Sequence, residues 1–159
     1  MDPELTLILR LPQAEDYQAL SGWIPDAAAA LRWAGPLVRW PFSAEMLPTL
    51  LVAPGAHSRV LAIADDHTPL GFGQYWPRDD GAVHLGRLIT APGLRRQGHG
   101  RTLVQRLMAE ARQATGAGRV TLRVYRDNAA AMALYAALGF SAMPEHSDDQ
   151  VLFMQHLPT

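Results

Sequence analysis

The densest group of residues suited to chemistry runs Leu88-Ile89-Thr90-Ala91-Pro92-Gly93-Leu94-Arg95-Arg96-Gln97-Gly98-His99-Gly100-Arg101. A β-rich run gives way to a basic turn, then to Gly98 and Gly100, then to the first turn of a long amphipathic segment. Glycine lets the main chain approach a ligand closely, and the first N–H groups of a helix are donors without intrahelical partners at the positive end of its dipole. Such a turn is an anion site, and a diphosphate suits it. Arg95, Arg96 and Arg101 can add charge-assisted bonds. A Walker A loop is excluded, because no Gly-Lys-Ser/Thr follows. A dinucleotide fingerprint needs a glycine where Leu103 stands, and a strand running straight into the first glycine rather than a loop containing Pro92. The plainest alternative is a surface helix start with solvated arginines.

Arg95-x-x-Gly98-x-Gly100, after a strand and at a helix start, resembles the acetyl-CoA signature of the GNAT superfamily of N-acyltransferases. A later segment, Asn128-Ala129-Ala130-Ala131-Met132-Ala133-Leu134-Tyr135-Ala136-Ala137-Leu138-Gly139-Phe140, resembles that family's other recurrent pattern, Asn-x-x-Ala-x-x-Leu-Tyr-x-x-x-Gly-Phe. The two halves come in the family's order, separated by a length that suits one helix and one strand. The likeness covers residues 60 to 157 well, and the preceding part only in its strand-helix-helix outline.

The resemblance implies acetyl-CoA as cosubstrate, no metal, and direct transfer of the acetyl group to an amine. It implies that the amides around Arg95, Arg96, Gln97, Gly98, His99, Gly100 and Arg101 bind the coenzyme A pyrophosphate, with Asn128 as a further contact. It also implies a gap beside the strand before the loop, where backbone groups of Leu88, Ile89 and Thr90 pair with the pantetheine arm and polarise the thioester carbonyl. Tyr135 takes the place of the family's tyrosine, which protonates the departing thiolate; on its apolar helix face with Ala131 and Leu138 it also reads as a core aromatic. Asn128 reads as a helix N-cap too, and one residue can do both. Eleven positions before Arg95, where protein-acetylating members often carry a glutamate, stands His84. That departure leaves two readings. An imidazole of pKa about 6.5 can take the amine's proton directly or through water; alternatively His84 is a half-exposed strand residue and ordered water is the base. The absence of cysteine fits direct attack. A non-catalytic acyl-CoA-binding or sensor domain is the alternative function.

Family acceptor pockets are usually built by the first two helices and the last strands. Here that region carries Trp23, Trp33, Trp40 and Phe42. Trp23, Trp40 and Phe42 are the candidates for lining a pocket, and Trp33, on a helix face, reads as packing. Asp26, Glu45, Glu145, Asp148 and Asp149 could attract a cationic amine or be solvated surface charges. The acceptor is left open among a small amine or amino acid derivative, a peptide N-terminus and a protein lysine. His57, His67, His146 and His156 lack metal-ligand spacing.

The elements that must position these residues can be read along the chain. Leu5–Leu11 is a strand ended by Pro12; Ala14–Leu20 and Asp26–Trp33 are helices, the second stopped by Gly35-Pro36; Ala44–Leu51 is a further helix. Arg59–Ala64, Leu70–Trp76 and Ala82–Thr90 form an antiparallel meander over short Asp/Gly/Pro turns. After the glycine loop, Leu103, Val104, Leu107, Met108 and Ala111 mark the buried stripe of a helix ended by Gly116 and Gly118. Val120–Val124 is a strand, Asn128–Leu138 a helix stopped by Gly139, and strands near Phe140 and over Val151–His156 close the chain. The result is one α/β (α+β) domain over 1–159, expected as a GNAT-like mixed, mostly antiparallel sheet of six to seven strands with about four helices.

Bulk composition agrees with a globular domain: 159 residues, 48% hydrophobic and 18% charged. A net charge of −1 gives no basic field for nucleic acid or an anionic membrane. No apolar run approaches a membrane span and no signal-peptide pattern is present, so a cytoplasmic location is expected. All 14 basic residues are arginines, and the Ala-Gly-Pro-rich texture points to a GC-rich bacterial genome. Homodimers are frequent in the family, so a homodimer is one expected assembly.

Overall fold

The computed structural model describes residues 6–94 and 98–158. Its centre is a seven-stranded sheet of order β1-β2-β3-β4-β5-β7-β6, formed by β1 (Leu7–Arg10), β2 (His57–Ile63), β3 (Pro69–Pro77), β4 (Val83–Thr90), β5 (Val120–Tyr125), β6 (Ser141–Ala142) and β7 (Val151–His156). All pairings are antiparallel except β4 with β5. The helices are α1 (Ala14–Trp23), α2 (Ala27–Ala34), α3 (Leu47–Leu50), α4 (His99–Thr115) and α5 (Ala129–Ala137). These are the five helical segments read along the sequence, except that the one expected over Ala44–Leu51 is a 3-10 turn, Ala44–Met46, running into the single turn of α3. Helix α1 extends three residues beyond its expected end at Leu20, its apolar side continuing to Trp23 and Ile24. Asp26 caps α2 by accepting from the Ala29 N–H at 2.8 Å, and Gly35 closes it at φ 80°.

Period-two alternation sends the sheet's apolar side chains into two cores. Leu61, Tyr75, Val83, Leu85, Val120 and Leu122 meet the buried stripe of α4 that the 3-4 spacing predicts. Val60, Ala62 and Phe72 face the other way, against Leu20, Ile24, Ala30, Leu47 and Leu51. Helix α4 sits close on β3 because Gly73 carries no Cβ; one there would come within 2.5 Å of Leu107 Cδ1 and 2.7 Å of Leu88 Cδ2. Among the described residues, no helix is long and apolar enough to cross a membrane.

The fold's chief irregularity lies in β4. Gln74 of β3 pairs with Gly86 and Phe72 with Ile89, so two β4 residues, Arg87 and Leu88, stand opposite the single Gly73. This is a β-bulge, and Arg87 takes the left-handed conformation it requires, φ 54°. A bulge bends the strand that carries it. The parallel ladder to β5 is accordingly confined to Val83↔Val120 and His84↔Thr121, while β5 stays paired with β7 along its length. Past His84 the two central strands diverge and leave one edge of β4 without a partner strand.

Candidate active site

The divergence of β4 and β5 opens a cavity of about 530 Å³. Its walls are His84 to Leu88 on β4, Arg123 to Tyr125 on β5, Asn128, Ala131 and Tyr135 at α5, the end of α2 and the turn after it from Leu31 to Pro36, and Trp76 of β3 with Arg78 just beyond that strand. It passes through the sheet at the splay, so groups from both faces meet in it.

Helix α5 sets one wall. Asn128 caps it, its Oδ1 accepting from the Ala131 N–H at 3.2 Å, and Gly139 ends it in the left-handed region at φ 99°. Ala131 and Tyr135, one turn apart, therefore share the cavity side. Tyr135 is 8% exposed and packs edge-on against Phe140 at 6.0 Å. Burial pushes its phenol up to about 12, and its hydroxyl has no hydrogen-bond partner among the described residues. The group holds its proton through the physiological range and has a donor to spend. It is both a core-facing aromatic and a cavity residue.

His84 is not the half-exposed side chain expected of its strand. It is buried, 7% exposed, with Nδ1 2.7 Å from Thr121 Oγ1, its ring beside Trp76 at 5.1 Å and stacked on Phe153 at 5.9 Å. Burial, reinforced by the positive charges of Arg78 and Arg123, lowers its pKa to about 3. The imidazole is neutral at pH 7 and a poor resting place for a proton.

Beyond the end of β4, Gly98 adopts φ 82° and caps α4, whose first turn presents the main-chain N–H groups of His99, Gly100 and Arg101. A Cβ on Gly100 would lie 3.5 Å from Leu134 Cδ2 and 3.9 Å from Thr90 Cγ2, so this turn is seated between α5 and the end of β4. Arg95, Arg96 and Gln97 lie outside the described residues. Of the strand residues expected beside the gap, Leu88 lines the cavity; Ile89 and Thr90 do not. Ile89 packs into the α1–α2 core instead, since the bulge turns its side chain to that face. Leu85, Gly86 and Arg87 take the lining positions.

A profile of the Acetyltransferase (GNAT) family matches residues 27–140. The chain belongs to the GNAT family. It is 36% identical over 101 residues to the mycothiol acetyltransferase of Thermomonospora curvata, a match spanning 64% of this chain and 31% of that one; the chain thus spans about a third of the curated relative. Among solved structures it resembles spermidine N-acetyltransferase from Vibrio cholerae in complex with CoA and spermine, with TM-score 0.75, 19% identity and 95% of each chain covered. It also resembles the ribosomal-protein-S18-alanine N-acetyltransferase from Escherichia coli, with TM-score 0.68, 19% identity, and 97% of this chain and 95% of that one covered. At that identity the structures share the fold.

Within this GNAT chain the aromatic candidates for an acceptor pocket are displaced. Trp23 and Phe42 pack into the α1–α2 core and Trp40 is exposed; none of the three lines the cavity. Helix α1 lies against β3, where Trp23 and Phe42 join the core, whereas α2 lies against β4 and its end reaches the splay. Trp33, expected only to pack, does both: its indole N–H donates to the Arg87 carbonyl at 2.8 Å and its ring lines the cavity. The acidic candidates also lie outside it. Asp26 is the α2 cap and Asp148 accepts from the Gln150 and Val151 N–H groups, while Glu45, Glu145 and Asp149 are likewise absent from the lining. Sequence reasoning missed Trp76, Arg78, Arg87 and Arg123. Their only local signal was a large or charged side chain on or just beyond a strand. No cluster able to hold a metal occurs among the described residues.

Proposed function

We propose that this GNAT protein transfers an acetyl group from acetyl-CoA directly to the nitrogen of an amine. The observation carrying this reading is the splay of β4 from β5 with Tyr135 in the cavity wall, together with the glycine-capped N-terminus of α4 seated between α5 and the end of β4. The residues present fit the coenzyme: a glycine-capped helix start for its pyrophosphate and an unpaired β4 edge for an amide-bearing arm. A thioester supplies an acyl carbon already reactive toward amines. The family and the V. cholerae relative whose structure holds CoA support the same cosubstrate.

The chain's own part is positioning and charge. Backbone N–H groups on the freed β4 edge, between Leu85 and Thr90, face the position of the thioester carbonyl; one such donor can be worth about 3 kcal/mol in the transition state. Tyr135 gives its phenolic proton to the leaving sulfur. The phenol is the weaker acid, and the dry site raises the thiolate's basicity in parallel, which narrows the gap. The proton lost by the amine passes to water at the cavity mouth, since His84, buried and under the positive charges of Arg78 and Arg123, cannot keep it. Asn128 and the amides of His99, Gly100 and Arg101 hold the coenzyme. We place the reaction in a bacterial cytoplasm, in line with the bacterial relatives.

Thermal unfolding with and without acetyl-CoA, followed by thiol release against a panel of amines, tests the proposal. Ligand at a hundred times its dissociation constant stabilises by about 2.7 kcal/mol. An unmoved melting temperature at millimolar acetyl-CoA rejects the cosubstrate.

A further inference from the structure

The charge on the cavity wall bears on the acceptor. Arg32, Arg78, Arg87 and Arg123 line it, and no aspartate or glutamate does among the described residues. The guanidinium carbons of Arg78 and Arg123 lie 5.0 and 5.9 Å from the centre of the Phe153 ring, on which His84 also stacks. Three carboxylates on neighbouring segments are already engaged, while Asp149 lines the adjoining hollow with Arg32 and Tyr125. Asp127 takes both nitrogens of Arg32, at 2.7 and 2.5 Å. Asp80 binds Arg119 at 2.7 Å and stands 3.3 Å from Arg78. Asp148 is spent on the N–H groups of Gln150 and Val151, at 2.8 and 2.7 Å. Arg123 is exposed and makes no ion pair among the described residues.

A polycation entering this wall would meet like charge with no carboxylate to receive it. An anion would meet two guanidinium groups beside one aromatic ring, whose forked donors suit a planar carboxylate. Resting on the acetyl-transfer reading above, we propose that the acceptor is an amine carrying a carboxylate near its nitrogen, an amino acid or a close analogue. Arg123, assisted by Arg78, holds the carboxylate at the cavity wall, and the amino group reaches past His84 into the splay.

The test compares kcat/KM for matched acceptors: an amino acid, its carboxamide, its decarboxylated amine, an aminoalkyl phosphate and a polyamine. The amino acid should exceed its carboxamide by about tenfold, the scale of one charge-assisted contact, and the difference should lie in KM. Arg123→Gln should bring that ratio toward one, and Arg123→Glu should turn the preference toward the polyamine. The position is exposed on a strand, so the variants should fold; their stabilisation by acetyl-CoA, measured in parallel, should match the parent's. A parent enzyme that prefers the carboxamide or polyamine overturns the inference and leaves acetyl transfer standing. A preference for the phosphate over the carboxylate overturns the carboxylate assignment, and a ratio indifferent to Arg123 overturns its placement. Absence of stabilisation by acetyl-CoA overturns both readings.

Discussion

At the scale of single residues, Tyr135 is the sharpest case. Its type and register were legible in the segment from Asn128 to Phe140; that its hydroxyl would be left without a partner in a cavity wall was not, because that depends on where β5 and β4 part. Tyr135→Phe should lower kcat by about a hundredfold, the usual worth of a positioned proton donor, with coenzyme affinity nearly intact. Folding should hardly change, since the lost hydroxyl satisfies no described group. Steady-state kinetics with a calorimetric titration of coenzyme A checks both, and unchanged turnover would remove Tyr135 from the chemistry. His84 shows the opposite balance. Counting back from the loop picked the position, but not the Trp76, Phe153 and Thr121 that bury it, which come from three other strands.

At the scale of elements, the glycine loop and α4 act together. Gly98 sits in the left-handed region and, among the described residues, nothing lies within 4 Å of a Cβ added there, so a side chain is strained without a clash against them. Two substitutions separate strain from charge. Gly98→Asn keeps a residue that tolerates this conformation and should retain coenzyme binding within about tenfold. Gly98→Glu puts a carboxylate at the helix N-terminus where the pyrophosphate belongs, and should abolish binding while the circular dichroism spectrum is preserved. Equal losses in both variants would show that backbone geometry, not anion recognition, governs the turn. Helix boundaries, caps and the meander were readable because the signals are local: Asp26 before α2, Gly116 after α4, Gly139 after α5. The strand expected near Phe140 is the two-residue β6, while the reduction of the expected Ala44–Leu51 helix to a 3-10 turn and the single turn of α3 was not readable, since tertiary contacts alone make such short pieces stable.

At the scale of the whole molecule, stability and pH are coupled through the buried centre of the sheet. His84 has a folded pKa of about 3, below the ordinary 6.5 of the unfolded chain. Between those values the unfolded chain binds a proton that the folded one refuses, so stability is full above about pH 6.5 and falls as the pH drops toward 3. At pH 5 the loss from this one group is about 2 kcal/mol. His156, also lowered by burial and by Arg112, adds in the same direction. Urea unfolding at pH 7.5 and 5.0 should show a difference that shrinks by about 2 kcal/mol in His84→Asn; an undiminished difference would mean His84 protonates freely in the native state. The amino-acid sequence by itself determined the family, the order of elements and the two signature segments, because helix periodicity, caps and glycine turns are written in neighbouring residues. Only the tertiary structure decided what fills the site. A bulge opposite Gly73 parts two strands, and the wall of the opening is assembled from Trp76, His84, Arg123 and Tyr135, whose neighbourhood is a matter of strand register and helix docking across the chain.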